Sequence, residues 1–283
     1  MGKGEKMSGK LIVVGTPIGN LSDFSPRAEE ALREADFIAA EDTRVTRKLM
    51  AHFEIHKPLI SYFEHNKYER GKVLCSRMQG GETCALVSDA GMPAISDPGE
   101  LLVAQCAEQG IPVTVVPGPS AVVSALAVSG LPTGRFTFEG FLSVNKKSRR
   151  EHLTGLKNEE RTMVFYEAPH KLAGTLRDLL DALGDRRVAL VRELTKIHEE
   201  VIRTTLSDAA ARYADGGAKG EFVLVVEGAK QAVPKPKPAQ DAMLLARGYL
   251  AQGMSAPEAA KRAAAETGRR KNEIYRGLVR EKE

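Results

Sequence analysis

The sequence has 283 residues, with 41 Lys or Arg against 37 Asp or Glu, 42% hydrophobic residues and no tryptophan. A formal net charge of +4 permits a nucleic-acid partner without requiring one, and the lack of tryptophan argues against base stacking as the main binding device. No run approaches the roughly 18 uninterrupted apolar residues of a membrane span, the amino terminus lacks an apolar signal segment, and Cys75, Cys84 and Cys106 lack paired metal-ligand spacing, so a cytoplasmic protein with reduced thiols and no metal site is expected.

In chain order, short apolar runs alternate with helix-like segments. Strands are predicted in Lys10 to Gly15, Asp36 to Glu41, Pro58 to Phe63, Cys84 to Asp89 and Val113 to Gly118. Between them, Pro26 opens one helix, and Arg44 to Phe53, Lys67 to Met78 and Gly99 to Glu108 read as others. This alternation predicts an α/β domain with a mostly parallel sheet over residues 10–134.

Near Arg135 the pattern changes. Five strand-like segments follow, "RFTFEGFL", "RTMVFYEA", "RRVALVREL", "EEVIRTTL" and "EFVLVVEG", with two good helices among them. Few crossovers mean antiparallel pairing, so a second, mixed α/β domain is predicted over 135–229. A stiff linker, "VPKPKP", is expected within 230–239, followed by three helices over 240–283. Ser255 with Glu258 fits a capping box, Gly253 and Gly268 fit helix stops, and the basic "GRRK" suits a helix-turn-helix-like RNA-binding module.

Three small-residue loops should meet at one sheet edge: "GTPIGN" after the first strand, "VSDAGMPAISDPG" after the fourth and "VPGPSA" after the fifth. Gly15 and Gly19 permit a close backbone approach, but their spacing is neither a dinucleotide fingerprint nor a P-loop. The lack of cations disfavours a phosphate-rich ligand. Asp89 suits a positive group or ribose hydroxyls, and Ser120 with the following helix start suits a carboxylate. S-adenosylmethionine combines a sulfonium, an adenosine and an amino-acid end. The "EDTR" stretch, Glu41 to Arg44, suits either a polar substrate surface or a salt-bridged helix cap.

Taken together, "VGTPIGNLSDFSPRA", "AEDTRVTRKLM", His65 with Asn66, "LVSDAGMPAISDPG", "VPGPSA", "FYEAPHK" and "RELTKIHEE" resemble the bacterial 16S ribosomal RNA cytidine 2′-O-ribose methyltransferases of the tetrapyrrole-methylase superfamily. The resemblance spans about residues 10–229, and the tail is similar to that family's C-terminal region. It implies a two-domain class III methyltransferase fold, S-adenosylmethionine in the interdomain cleft, homodimerisation, and transfer to a cytidine ribose 2′-hydroxyl in the P-site of the small ribosomal subunit. By the same resemblance, the donor contacts Pro17, Ile18, Ser88, Asp89, Ala90, Met92, Ser120 and Ala121. From the second domain, Tyr166, Gly220 and Phe222 close over it. Ser88, Asp89 and Ala90 depart from the Gly-Asp-Pro type loop of related tetrapyrrole methylases, which disfavours a porphyrin-like substrate.

Methyl transfer needs alignment and removal of a weakly acidic ribose proton. Candidate bases are Lys196, Glu193, Glu167 and His170, with Lys196 or Glu193 preferred because a strand end would aim one of them into the cleft. Alternatively, Arg192, Glu193 and Lys196 form an ion-pair cluster that shapes an RNA groove. Arg44, His65, Asn66, His170 and Arg192 are the expected RNA-positioning residues. Three competing readings remain: a tetrapyrrole methylase, a nicotinamide-dependent oxidoreductase using Gly15 to Gly19 and Glu41, and a non-catalytic ribosome-binding protein.

Overall fold

The structure, a computed structural model, describes residues 9–230 and 239–280. Two compact units divide at Ala229 and Lys230. The expected "VPKPKP" linker lies outside the described residues.

The first unit opens with β1 (Leu11–Val14), α1 (Pro26–Glu34), β2 (Phe37–Ala40), α2 (Thr43–His52), β3 (Leu59–Ser61), α3 (Lys67–Gln79), β4 (Cys84–Val87), α4 (Gly99–Glu108) and β5 (Val113–Val116). The strands form one parallel sheet in the order β3-β2-β4-β1-β5. Its central strands β1, β2 and β4 are buried throughout, which explains their continuous apolar runs. Ile12, Val14, Ile38 and Val87 pack on one face with Ala28 and Leu32, while Leu11, Val13, Phe37 and Leu86 pack on the other with Leu74, Met78 and Leu102. The three cysteines are free and buried. From β1 the chain leaves towards β2, and from the adjacent β4 it leaves towards β5 on the opposite side. The carboxyl ends of β4 and β1 are therefore a topological switch point, where open α/β sheets bind ligands.

Helix α5 (Ala121–Ser129) leaves this sheet and packs on the next one: Val122, Ala125 and Leu126 bury against Val164, Ala189, Val191 and Val223. That second sheet contains β6 (Phe136–Phe141), β7 (Thr162–Glu167), β8 (Arg187–Arg192), β9 (Glu200–Thr205) and β10 (Phe222–Val226), in the order β6-β7-β10-β8-β9. Only β6 and β7 are parallel; the other neighbours are antiparallel, giving the mixed sheet expected. Its other face buries Phe165, Leu190 and Leu224 under α7 (Leu172–Leu183) and α8 (Leu206–Arg212), with Leu153 of α6 (Lys146–Gly155) beside them.

Helix α8 is a third helix where two were expected. The strand-like "EEVIRTTL" ends at Thr205, whose hydroxyl accepts a hydrogen bond from the Asp208 amide at 3.3 Å and starts the helix. Thr205→Ala should therefore lower stability by about 1 kcal/mol, read from the midpoint of urea unfolding at unchanged slope.

The second unit contains α9 (Ala239–Ala251), α10 (Ala256–Thr267) and α11 (Lys271–Arg280). Its core is rich in small residues, Ala242, Ala246, Ala259, Ala260 and Ala263, closed by Ile274 and Leu278. Gly268 ends α10 at φ +69°, as expected. The capping box takes a different form: Ser255 Oγ donates to Glu258 Oε2 at 2.8 Å and caps no helix amide. Pro257 sits in the first turn and removes one of the amides that such a cap would serve. Among the described residues, no helix is long and apolar enough to cross a membrane.

Candidate functional site

The loops after β1, β4 and β5 lock together above the switch point. The Thr16 amide donates to the Gly91 carbonyl at 2.9 Å, the Gly91 amide returns a bond at 3.2 Å, and the Gly118 amide meets Met92 Sδ at 3.2 Å. A Cβ on Gly15 would lie 2.7 Å from the Gly118 Cα. The close approach expected at Gly15 is thus between two loops. Gly19 does the same for a third partner, since a Cβ there would lie 2.6 Å from Lys196 Cγ.

Within "VSDAGMPAISDPG", Asp97 organises the chain: its Oδ1 accepts from the amides of Ala94 (3.0 Å) and Gly99 (2.7 Å). Ala94 and Ser96 both sit at φ +66°, a left-handed conformation that costs about 1–3 kcal/mol in a non-glycine residue. The aspartate holds that strained turn open beside a cleft of about 640 Å³. Such a volume suits a compact ligand.

Ile18, Ser88, Asp89, Ala90 and Met92 line the cleft from the first sheet, with Ser120 and Ala121 at the start of α5. Tyr166, His170 and Phe222 line it from the second sheet. Pro17 and Gly220 are not part of this lining. Gly220, at φ +84°, instead makes room for Glu193, whose Cγ would lie 2.5 Å from an added Cβ. The Ser120 side chain caps none of the α5 amides, and the Val122 amide in the first turn of that helix faces the Tyr166 hydroxyl.

The lining contains Glu41, Asp89, Asp97, Glu167 and Glu221 but, among the described residues, no lysine or arginine. Burial pushes the Glu41 carboxyl above its ordinary pKa, and the charges of Asp89 and Asp97 push the same way against a bond from the Asp89 amide. Asp97 is raised by burial and opposed by the Gly99 and Ala94 amides. The "EDTR" stretch therefore divides between its two readings. Glu41 faces the cleft, while Asp42 caps α2 through the Arg44 amide at 2.8 Å and pairs with the Arg44 guanidinium at 2.6 Å.

Lys196 and Glu193, the preferred bases, do not line the cleft. Lys196 Nζ sits 2.9 Å from both Glu193 Oε1 and Glu221 Oε2. Partial burial works against the ammonium, but its bonds to Glu221 and Glu193 and their charges prevail and raise its pKa. Glu193 is lowered by the Glu221 amide and by Lys196. Lys196 is held as the ammonium, which has no free lone pair for a proton, and Glu193 as a weakly basic carboxylate engaged by that ammonium away from the lining; the ion-pair cluster is the arrangement observed. Arg192 pairs outside it, donating to the Lys219 carbonyl at 2.6 Å and pairing with Glu200 at 3.6 Å, and only its charge reaches Glu193. Glu193 (φ +51°) and Thr195 (φ +64°) are left-handed in this loop.

The other expected RNA contacts are scattered. Arg44 is exposed, His65 lies edge-on to Phe63, and Asn66 is engaged in its own turn through the Phe63 amide and the Ser61 carbonyl. His170 alone among them lines the cleft. Sequence reasoning missed Phe141, Ile95 and Leu194 in the wall. Gly140 was the available signal for Phe141, because a glycine inside a strand marks a bulge that redirects its neighbours. No group of three or more His, Cys, Asp or Glu among the described residues is arranged to hold a metal ion.

The pattern of the Tetrapyrrole (Corrin/Porphyrin) Methylases matches residues 10–210. A protein of Synechocystis sp. named ribosomal RNA small subunit methyltransferase I is 47% identical over 271 residues, covering 94% of this chain and 96% of that one. A Halalkalibacterium halodurans protein of the same name is 48% identical over 270 residues, covering 94% and 93%. A third, from Thermotoga maritima, is 50% identical over 220 residues, covering 78% of this chain and 99% of its own. Among solved structures, a cobalt precorrin-4 methyltransferase aligns with TM-score 0.58 at 19% identity, covering 80% and 97%. A uroporphyrin-III C-methyltransferase of Thermus thermophilus complexed with S-adenosylhomocysteine aligns with TM-score 0.54 at 19% identity, covering 77% and 97%.

Proposed function

The chain belongs to the tetrapyrrole (corrin/porphyrin) methylases, and from that membership, its relatives and its cleft we propose that it uses S-adenosylmethionine to methylate ribosomal RNA of the small subunit. The observation that carries this reading is a cleft at the switch point, lined by carboxylates and free of lysine and arginine among the described residues. Such a cleft suits a cation and repels a pyrophosphate, which disfavours the nicotinamide reading. The names of relatives at 47–48% identity over 93–96% of their length supply the substrate.

The residues fit the donor. Asp89 offers a carboxylate to ribose hydroxyls or an amino group, the start of α5, uncapped by Ser120, suits its carboxylate, and Ile18, Met92 and Phe222 offer apolar contact. When bound, the donor supplies an electrophilic methyl group on a sulfonium. The protein's part is to align the acceptor and to take its proton. Glu41 suits the second task better than Lys196 or Glu193, because it faces the cleft and its raised pKa strengthens it as a base.

Within this reading the acceptor is the ribose 2′-hydroxyl of a cytidine in the decoding region, and the protein works in the cytoplasm as a homodimer. The exposed valines Val113 and Val115 on edge strand β5 and Val123 on α5 are the surfaces we assign to the dimer. The Thermotoga relative is covered almost completely by 78% of this chain, so the remainder has no counterpart there. Full coverage of a relative of the same name by part of this chain supports placing the chemistry in the matched part, and we assign an auxiliary RNA contact to the basic helical unit.

Titration calorimetry with S-adenosylmethionine and with NAD tests the reading: the first should bind and the second should not. A Glu41→Gln variant adds a pH test. The folded-state pKa of Glu41 is raised, so its charge withdraws stability as pH climbs through and above the ordinary carboxylate value. Below that value both states are protonated and the penalty vanishes. The variant should therefore melt higher than wild type at pH 7 but equally at pH 3, while losing methyl transfer at both subsaturating and saturating donor.

A further inference from the structure

We propose that the segment from Phe141 to Arg150 grips the acceptor RNA at the mouth of the cleft: Phe141 stacks on the base of the nucleotide turned inward, and Lys146, Lys147 and Arg150 hold the adjoining phosphates. This rests on the ribosomal RNA reading above and adds the surface that delivers the ribose.

A β-bulge aims the ring. In the β6–β7 register Phe138 opposes Val164, while Gly140 opposes Phe165 and Phe141 opposes Tyr166, so one residue of β6 is extra. Without it, Phe138 and Phe141, three apart, would face opposite sides of the sheet. With the bulge, and with Gly140 at φ +63°, both lie on the face of Tyr166. The ring centroids of Phe138 and Phe141 stand 5.0 Å and 5.4 Å from that of Tyr166, an aromatic row running from the core to the rim. Phe141 is its outer end, lining the cleft yet 60% exposed. An exposed aromatic face beside a reaction cleft is the feature by which a nucleotide splayed out of its stack is held.

The following residues supply charge. Asn145 Oδ1 accepts from the Lys147 (3.0 Å) and Ser148 (3.2 Å) amides and fixes the start of α6. Lys146, Lys147 and Arg150 are exposed, and none has an ion-pair partner among the described residues, whereas Arg149 is tied to Asp178 at 2.5 Å. Cations at the start of a helix oppose its dipole, so helix stability does not account for them. A cleft walled by carboxylates also excludes phosphates, which must then be held at the rim.

The test uses the full-length protein and small ribosomal subunits lacking the modification. Phe141→Ala should raise the KM for subunits by roughly 10-fold or more, in line with the loss of one stacked base. The fold-loss in KM for subunits should exceed any fold-loss in calorimetric affinity for S-adenosylmethionine, and Phe141→Tyr should restore the KM. The Lys146→Ala/Lys147→Ala double variant should bind subunits more weakly and reduce the slope of log K against log salt by about 2. An unchanged KM in Phe141→Ala, or a loss confined to donor affinity, overturns the stacking role; an unchanged salt slope overturns the phosphate role. Failure of the wild-type protein to methylate the subunits appears before any variant is compared, and it overturns the functional reading as well.

Discussion

Asp89→Ala is expected to weaken S-adenosylmethionine binding by roughly 10- to 150-fold, the cost of losing a hydrogen bond to a charged group. Asp89 lines the cleft from the loop after β4, and its Oδ1 also accepts from the Asp42 amide at 2.9 Å. Alanine removes both the ligand's carboxylate and this tie between the β4 and β2 loops. Asp89→Asn separates the two, because its side-chain oxygen keeps the tie while the charge is gone. Its affinity should fall between wild type and alanine in calorimetric titrations. Equal affinity in all three proteins would remove Asp89 from the donor site.

Gly118→Ala should cost about 2–3 kcal/mol of stability and abolish donor binding together. An added Cβ would lie 2.8 Å from the Gly15 Cα and 2.9 Å from its carbonyl carbon. Backbone meets backbone there, so no side chain can rotate away. The strain can be relieved only by parting the loops after β1 and β5, and those loops carry Ile18, Ser120 and Ala121 into the cleft. Urea unfolding and calorimetry on the same preparation check both effects. A variant as stable as wild type that binds donor normally would show that the contact is not needed.

Local signals were the legible ones. Runs such as "KLIVVG" and "CALVSD" mark strands covered on both faces, and the small-residue loops that follow them mark the cleft. Partnerships made far along the chain were hidden. Gly15 with Gly118 reads as two separate turn glycines until the parallel pairing of β1 and β5 brings them together. Lys196 reads as a base until Glu221 arrives from the segment before β10 and closes the ion pair. Helix α8 was concealed because the alternating pattern of "EEVIRTTL" runs past Thr205 without a break. Phe141 was concealed by the bulge, since simple alternation puts it on the wrong face. In each case the deciding interaction is either long-range or a one-residue change of register.

The most direct test of the account is transfer of labelled methyl from S-adenosylmethionine to unmodified small ribosomal subunits, followed by alkaline hydrolysis of the RNA. A 2′-O-methyl group blocks cleavage at its own nucleotide. The account predicts label in a single alkali-resistant dinucleotide that begins with cytidine, and loss of that label in Asp89→Ala. Label released in an alkali-sensitive mononucleotide would contradict ribose methylation, and RNA without label would contradict the methyltransferase itself.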